Sequence, residues 1–297
     1  MIGYDEAKEA HSTNVFEKFN DDPTFLYINQ FMKRGERELQ HKFLSYIKYK
    51  LKSTKQDDKF REVYEYVQSN NLLPEIIGFI QKNRELSIWY SHEETQRIIS
   101  ELRELPLAHD EFSPINSIDK QLFSKVQNAT TSEELKDIIT TINDMLKKKV
   151  YWTYYNTQTT RIIEDIFSLN ENIIPTLVDT KGVDFFLDEL PIDLKITKIP
   201  ARFNIDDISH NKDGFIKWLY ENQSEQRFSA NNRLFLIFND ENNPQISDRL
   251  KITHYEVIKV IINDYLNNFS KNKMRDISFI FANKQYRAKS DLILINI

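Results

Sequence analysis

Cysteine is absent from the 297 residues, and glycine occurs only five times. The first absence removes disulfides, thiolate metal sites and thiol redox chemistry. So few glycines leave no glycine-rich phosphate loop, and no nucleotide-triphosphate engine is expected. No apolar run approaches the roughly 20 residues of a membrane helix, and no basic-then-apolar leader opens the chain, so the expectation is a soluble, cytoplasmic protein with no membrane partner. The histidines (His11, His41, His92, His109, His210 and His254) have no paired metal spacing, so the sequence supports no zinc site.

What is present is enough to fold. Hydrophobic residues make up 40% and aromatics 12%, so burial can offset chain entropy, and the length allows two domains. The formal charge of −5 argues against an overall basic coat. Locally, residues 33 to 61 carry ten Lys or Arg, from Lys33 and Arg34 to Arg61, against four acids. A basic face within an acidic protein is therefore expected.

The first half reads as helices. In TSEELKDIITTINDMLKK, Thr131 and Glu134 form a capping-box pattern, and Leu135, Ile138, Ile139, Ile142, Met145 and Leu146 recur at helical spacing. Similar stripes occur over 39–51, 60–81 and 92–104, with Pro74, Pro106 and Pro114 marking breaks. From about residue 175 the texture changes to short apolar runs at 183–187, 191–197, 234–238, 277–281 and 291–295, separated by helical segments at 213–223 and 254–269. Two domains are expected: residues 1–150, α-helical, and 151–297, mixed α/β, joined by a helix over 156–170.

Within the second domain, KGVDFFLDELPIDLKITK puts acids and a lysine into strand-like segments. A hairpin turning at Asp188-Glu189 sets Asp184 opposite Asp193. Alternation then gives Val183, Phe185, Leu187, Ile192, Leu194 and Ile196 to an apolar face, and Asp184, Asp193 and Lys195 to the other. Opposed carboxylates destabilise a sheet unless positive charge lies between them. Mg²⁺ meets that need, because it takes carboxylate oxygens, a carbonyl such as that of Leu194, and water. Lys195 would orient an attacking water or stabilise charge developing on phosphate. The chemistry expected is metal-assisted hydrolysis of a phosphodiester.

These residues resemble the PD-(D/E)xK nuclease superfamily, in which an acid on one strand and an acid-x-lysine on the next form the metal site. Asp184, Asp193 and Lys195 match those positions, and Val183 stands where the family name has proline. The resemblance extends over roughly 156–285. It implies a restriction-endonuclease-like core, a central mixed sheet flanked by helices, with Mg²⁺ as cofactor. It also implies an upstream helical acid, matched by Glu164 in RIIEDIF, and a glutamine on the helix after the lysine strand, matched by Gln223. On the Ile162, Ile163, Ile166 and Phe167 stripe, Glu164 lies at the border and Asp165 points more directly away.

The implied function is a Mg²⁺-dependent endonuclease on double-stranded DNA, of type II restriction or phage-defence type, working as a homodimer beside a cognate DNA methyltransferase encoded nearby. A structure-specific repair nuclease and a non-catalytic DNA-binding protein on the same fold are the alternatives. For phosphate contact, HKFLSYIKYKLKSTK read as one helix turns Phe43, Leu44, Ile47 and Leu51 inward and leaves Lys42, Tyr46, Tyr49 and Lys52 for DNA. Lys271, Lys273, Arg275, Lys284, Arg287 and Lys289 form a second basic group. Trp89, Trp152 and Trp218 are expected to serve packing.

Overall fold

The computed structural model describes residues 2–32, 36–106, 124–200, 202–223 and 228–297. Lys33, Arg34, His109 and Pro114, used in the sequence reading, lie outside them.

The helical half begins with α1 (Tyr4–Ser12), α2 (Thr24–Met32), α3 (Arg37–Tyr46), α4 (Gln56–Ser69), α5 (Leu73–Lys82) and α6 (His92–Arg103). The stripe over 60–81 is two helices, because Asn71 takes a left-handed φ of 52° and Pro74 then opens α5. Next comes α7 (Ser132–Leu169), 38 residues long. Its capping box forms as the sequence indicates: Glu134 N–H donates to Thr131 Oγ1 at 3.2 Å, and Thr131 N–H donates to Glu134 Oε2 at 3.1 Å. The helix passes through residue 150 unbroken, so the expected joining helix over 156–170 is only its C-terminal part.

Thereafter come β1 (Ile173–Thr180), β2 (Val183–Leu187), β3 (Leu190–Lys198), α8 (Ile205–His210), α9 (Lys212–Glu221), β4 (Arg233–Asn239), α10 (Leu250–Thr253), α11 (Tyr255–Asn267), β5 (Arg275–Phe281) and β6 (Lys284–Asn296). They make a six-stranded sheet of order β1-β2-β3-β4-β6-β5. β1, β2 and β3 form an antiparallel meander, β3, β4 and β6 run parallel, and β5 closes the far edge antiparallel. The protein is thus mixed α/β, a mixed sheet with helices on both faces. β1 was not among the expected strands. Pro175 disguised it, and an edge strand is where a sheet tolerates proline.

The hairpin keeps the expected register: Leu187 pairs with Leu190 and Phe185 with Ile192. Asp188 and Glu189 have φ of 52° and 64°, the double positive φ of a type I′ turn, adopted here without glycine. One expectation about its faces fails. Phe185, Leu187, Ile192 and Leu194 enter a core with α7 and α11, whereas Val183 packs with Leu177 and Phe186 against the N-terminal helices. The β1–β2 ladder shifts register between Pro175 and Thr180, and that irregularity turns the end of β2 over.

Three apolar clusters hold the layers together. One joins α6, α7 and α11 to β2, β3, β4 and β6, and another joins α8 and α9 to β4, β5 and β6. In the third, α1 to α5 cover β1 and β2, with the Tyr27 ring stacked 3.9 Å from that of Phe186. Burying a phenylalanine of this kind contributes about 1.5–3 kcal/mol. The N-terminal helices are therefore also a layer over the sheet.

Candidate active site

The β2–β3 ladder ends at Phe185–Ile192, leaving Asp184 and Asp193 just beyond the last pair. Past that point the strands part. Asp193 N–H donates across to Asn232 O at 2.9 Å, joining β3 to the β4 side. Leu194 N–H, left without a strand partner on the β2 side, donates to Asp184 Oδ2 at 2.6 Å. The two acids thus flank a fork, rather than forming the ladder pair expected from the sequence.

Asp193 is buried, 6% exposed, and both of its oxygens are engaged. Lys195 Nζ donates to Oδ1 at 2.8 Å, and Arg233 Nε donates to Oδ2 at 3.3 Å. Arg233 lies beside it because β3 and β4 run parallel with Asp193 in register with Arg233. Asp184 has a different electrostatic setting. Burial and then the Asp193 charge push its carboxyl up to about 7, while the Leu194 N–H and Lys195 act in the opposite direction.

Asp184 also lines an open cleft of about 230 Å³, together with residues 86–89, 164, 168, 176–180, 183 and 185. Glu164 reaches this cleft from α7. Burial raises its carboxyl above the usual range, partly offset by the Trp89 indole N–H, which donates to Oε2 at 3.1 Å. Lys195 lies close enough to lower both Glu164 and Asp184. Asp184, Asp193, Lys195 and Glu164 therefore share one electrostatic neighbourhood.

The Asp165 expectation is overturned. It is 3% exposed, and its carboxylate accepts the Trp89 and Tyr90 N–H groups at 2.8 and 3.0 Å. The 88–90 segment crosses that side of α7 and covers what one helix alone would leave to solvent. Burial pushes Asp165 up to about 6. Trp89 also departs from its expected packing role: it is 53% exposed, with the Arg161 guanidinium 4.4 Å from its ring centre.

Gln223 lies past the end of α9 at Glu221 rather than on the helix. Its Nε2 donates to Ser229 O at 3.1 Å, while its Oε1 accepts from Ser229 N–H at 3.0 Å and from Arg233 at 2.9 Å. It reaches Asp193 only through that arginine. Arg233 itself was missed. The available signal was a lone arginine opening the apolar run RLFLIF, where a buried cation needs an acid nearby.

The single basic helix over 42–52 is likewise corrected. α3 stops at Tyr46 because Lys48 turns left-handed with φ of 54°, and Tyr49 N–H returns to Leu44 O at 2.9 Å in a Schellman-type cap. Lys42 and Tyr46 stay on the exposed side of α3, Lys42 paired with Glu38 at 2.7 Å. Tyr49 and Lys52 lie beyond it, with Tyr49 packed 4.4 Å from the Tyr66 ring and Lys52 N–H donating to Glu62. In the second basic group, Arg275 pairs with Asp213, Arg287 with Glu17 and Lys289 with Asp276.

Among the described residues no group of three or more His, Asp or Glu is placed to hold a metal. Asp184 and Asp193 are carboxylates of the kind Mg²⁺ takes, commonly one or two together with waters and substrate phosphate, and here Lys195 and Arg233 hold both Asp193 oxygens. Asp184, raised first by burial and then by the Asp193 charge, is where a bound cation would most favour the ionised carboxylate. No described helix is long and apolar enough to cross a membrane. Comparison of the chain with protein-family models, with curated proteins and with solved structures found no match.

Proposed function

We propose that this protein is a Mg²⁺-dependent endonuclease that hydrolyses phosphodiester bonds in double-stranded DNA, built on a PD-(D/E)xK-type core and acting in restriction or defence. The observation supporting the reading is that Asp184, Asp193 and Lys195 lie at the strand fork while Glu164 lines the same cleft as Asp184. Asp184, Asp193 and the Leu194 carbonyl would hold the ion, which when bound supplies Lewis-acid polarisation of the phosphate. Lys195, half exposed and resting on Asp193 Oδ1, would turn its ammonium to the negative charge that grows on the phosphoryl oxygens. Glu164, with a raised pKa and an indole N–H holding one oxygen, is poised to take a proton from water. Arg233 would position Asp193 and Gln223 would position Arg233.

The second reading, a non-catalytic DNA-binding protein on this fold, is favoured by the Arg233 contact, which already neutralises Asp193. Plasmid cleavage separates the two. Wild type, Asp184→Asn and Lys195→Ala are incubated with unmethylated plasmid in Mg²⁺ or EDTA. These variants leave the Asp193–Arg233 pair intact, so misfolding is a smaller risk than with a change at Asp193. Mg²⁺-dependent fragments from wild type, reduced at least about 100-fold in both variants, are the expected result. No cleavage in Mg²⁺, with DNA binding equal across all three proteins, would replace the nuclease reading with the second one.

A further inference from the structure

Trp89 lines the cleft that holds Glu164 and Asp184, and the proposed chemistry uses it only for one hydrogen bond. Its ring is nevertheless held from several sides. The backbone N–H donates to Asp165 Oδ1 at 2.8 Å, the indole N–H donates to Glu164 Oε2 at 3.1 Å, and the Arg161 guanidinium lies 4.4 Å from the ring centre. A side chain fixed in this way gives up rotamer freedom, a cost that burial of its ring normally offsets. Here the residue stays 53% exposed. Leu86, three residues earlier and half exposed, lines the same cleft. The pair makes an apolar lip on a cleft that also carries Glu164, Asp179 and Asp184, and apolar surface bordering convergent polar groups marks a ligand groove.

The surroundings of the ring identify the occupant. In a nucleic acid the groups that accompany each phosphate are a sugar and a base, and every base offers a π-face to an aromatic side chain whatever the sequence. An apolar ligand would gain nothing from the guanidinium beside the indole. A nucleotide uses both, the ring for its base and the positive charge for its polyanionic backbone. Bases inside a duplex present their faces to one another, so only a base that has left the stack can lie on an indole.

We propose that the Trp89 indole is a platform on which the cleft receives an unstacked nucleobase of its substrate. The platform selects nucleotides that are single-stranded or lifted out of a duplex, and a ring already held in place binds one without paying again to be ordered. The proposal rests on the reading that this cleft takes nucleic acid, and it does not require that the nucleic acid be cut.

Binding of dye-labelled strands, followed by fluorescence anisotropy at low salt with Ca²⁺ present, tests it. Wild type, Trp89→Phe and Trp89→Ala are compared on a short oligothymidylate and on a base-free strand of equal length. Both variants keep the backbone N–H that anchors the segment to Asp165. Trp89→Phe keeps an aromatic ring while losing the N–H to Glu164, so it separates stacking from positioning of that acid. Wild type and Trp89→Phe should bind oligothymidylate alike, Trp89→Ala at least about fivefold more weakly, and all three should bind the base-free strand equally. Oligothymidylate should also quench the tryptophan emission of wild type, with most of the quenching gone in Trp89→Phe. Equal affinity of wild type and Trp89→Ala for oligothymidylate would overturn the proposal. So would a loss in Trp89→Phe as large as in Trp89→Ala, or a wild type that binds neither strand. The plasmid assay is decided separately: base-dependent binding through Trp89 without Mg²⁺-dependent cleavage keeps the platform and removes the nuclease reading, and cleavage without base dependence does the reverse.

Discussion

Asp165 and Glu164 are sequence neighbours on one helix, yet their surroundings differ in ways that can be titrated. Asp165 is raised to about 6 by burial, whereas an unfolded aspartate titrates near 4. The folded state thus binds this proton more tightly. Its contribution to stability is fully present below about pH 4 and is lost as pH rises to about 6, by on the order of 3 kcal/mol. Urea midpoints measured between pH 3.5 and 6.5 should decline through that window, and Asp165→Asn should show a shallower decline than wild type. An identical pH profile in the variant would show that Asp165 does not carry the effect. Alternation and turn position marked Asp184, Asp193 and Lys195 as candidates in the sequence, and the hairpin register that brings them near one another is the expected one. Asp165 and Arg233 were not, because their environments come from the 88–90 segment and a neighbouring strand, each far away along the chain.

Elements were read well where a local pattern decides them. The α7 capping box and the hairpin register follow from residues only a few positions apart. The turn of that hairpin holds two non-glycine residues left-handed, at a cost of roughly 1–2 kcal/mol each. Glu189→Gly should therefore raise stability by about 0.5–1 kcal/mol, read as a higher urea midpoint at constant slope; an unchanged or lower midpoint would remove strain at this turn as an explanation. The end of α3 shows the opposite limit. The apolar stripe runs on through Leu51, but Lys48 adopts a left-handed turn with neither Gly nor Asn to announce it. β1 was hidden by Pro175, whose meaning depends on whether its strand is central or at an edge.

At the scale of the molecule, the helical half and the sheet share a core. Leu177, Val183 and Phe186 are buried beneath α1 to α5, Gln30 Oε1 accepts Leu177 N–H at 2.9 Å, and Val15 bridges Ala230. Residues 151–297 produced alone should therefore expose that face of β1 and β2 and fail to give a cooperative thermal transition by near-ultraviolet circular dichroism. A sharp transition in the fragment would show that the sheet domain folds independently. The sequence by itself determined the helical first half, the strand-rich second half and the register of two strands about one turn, because 3.6- and 2-residue periodicities and turn chemistry act over short separations. Tertiary structure alone decided that β2 and β3 part beyond Phe185–Ile192, that Arg233 meets Asp193, that Glu164 and Asp184 share a cleft, and that the N-terminal helices cover the sheet. Each of those contacts joins residues whose proximity is set by strand order and layer packing, which no local spacing encodes.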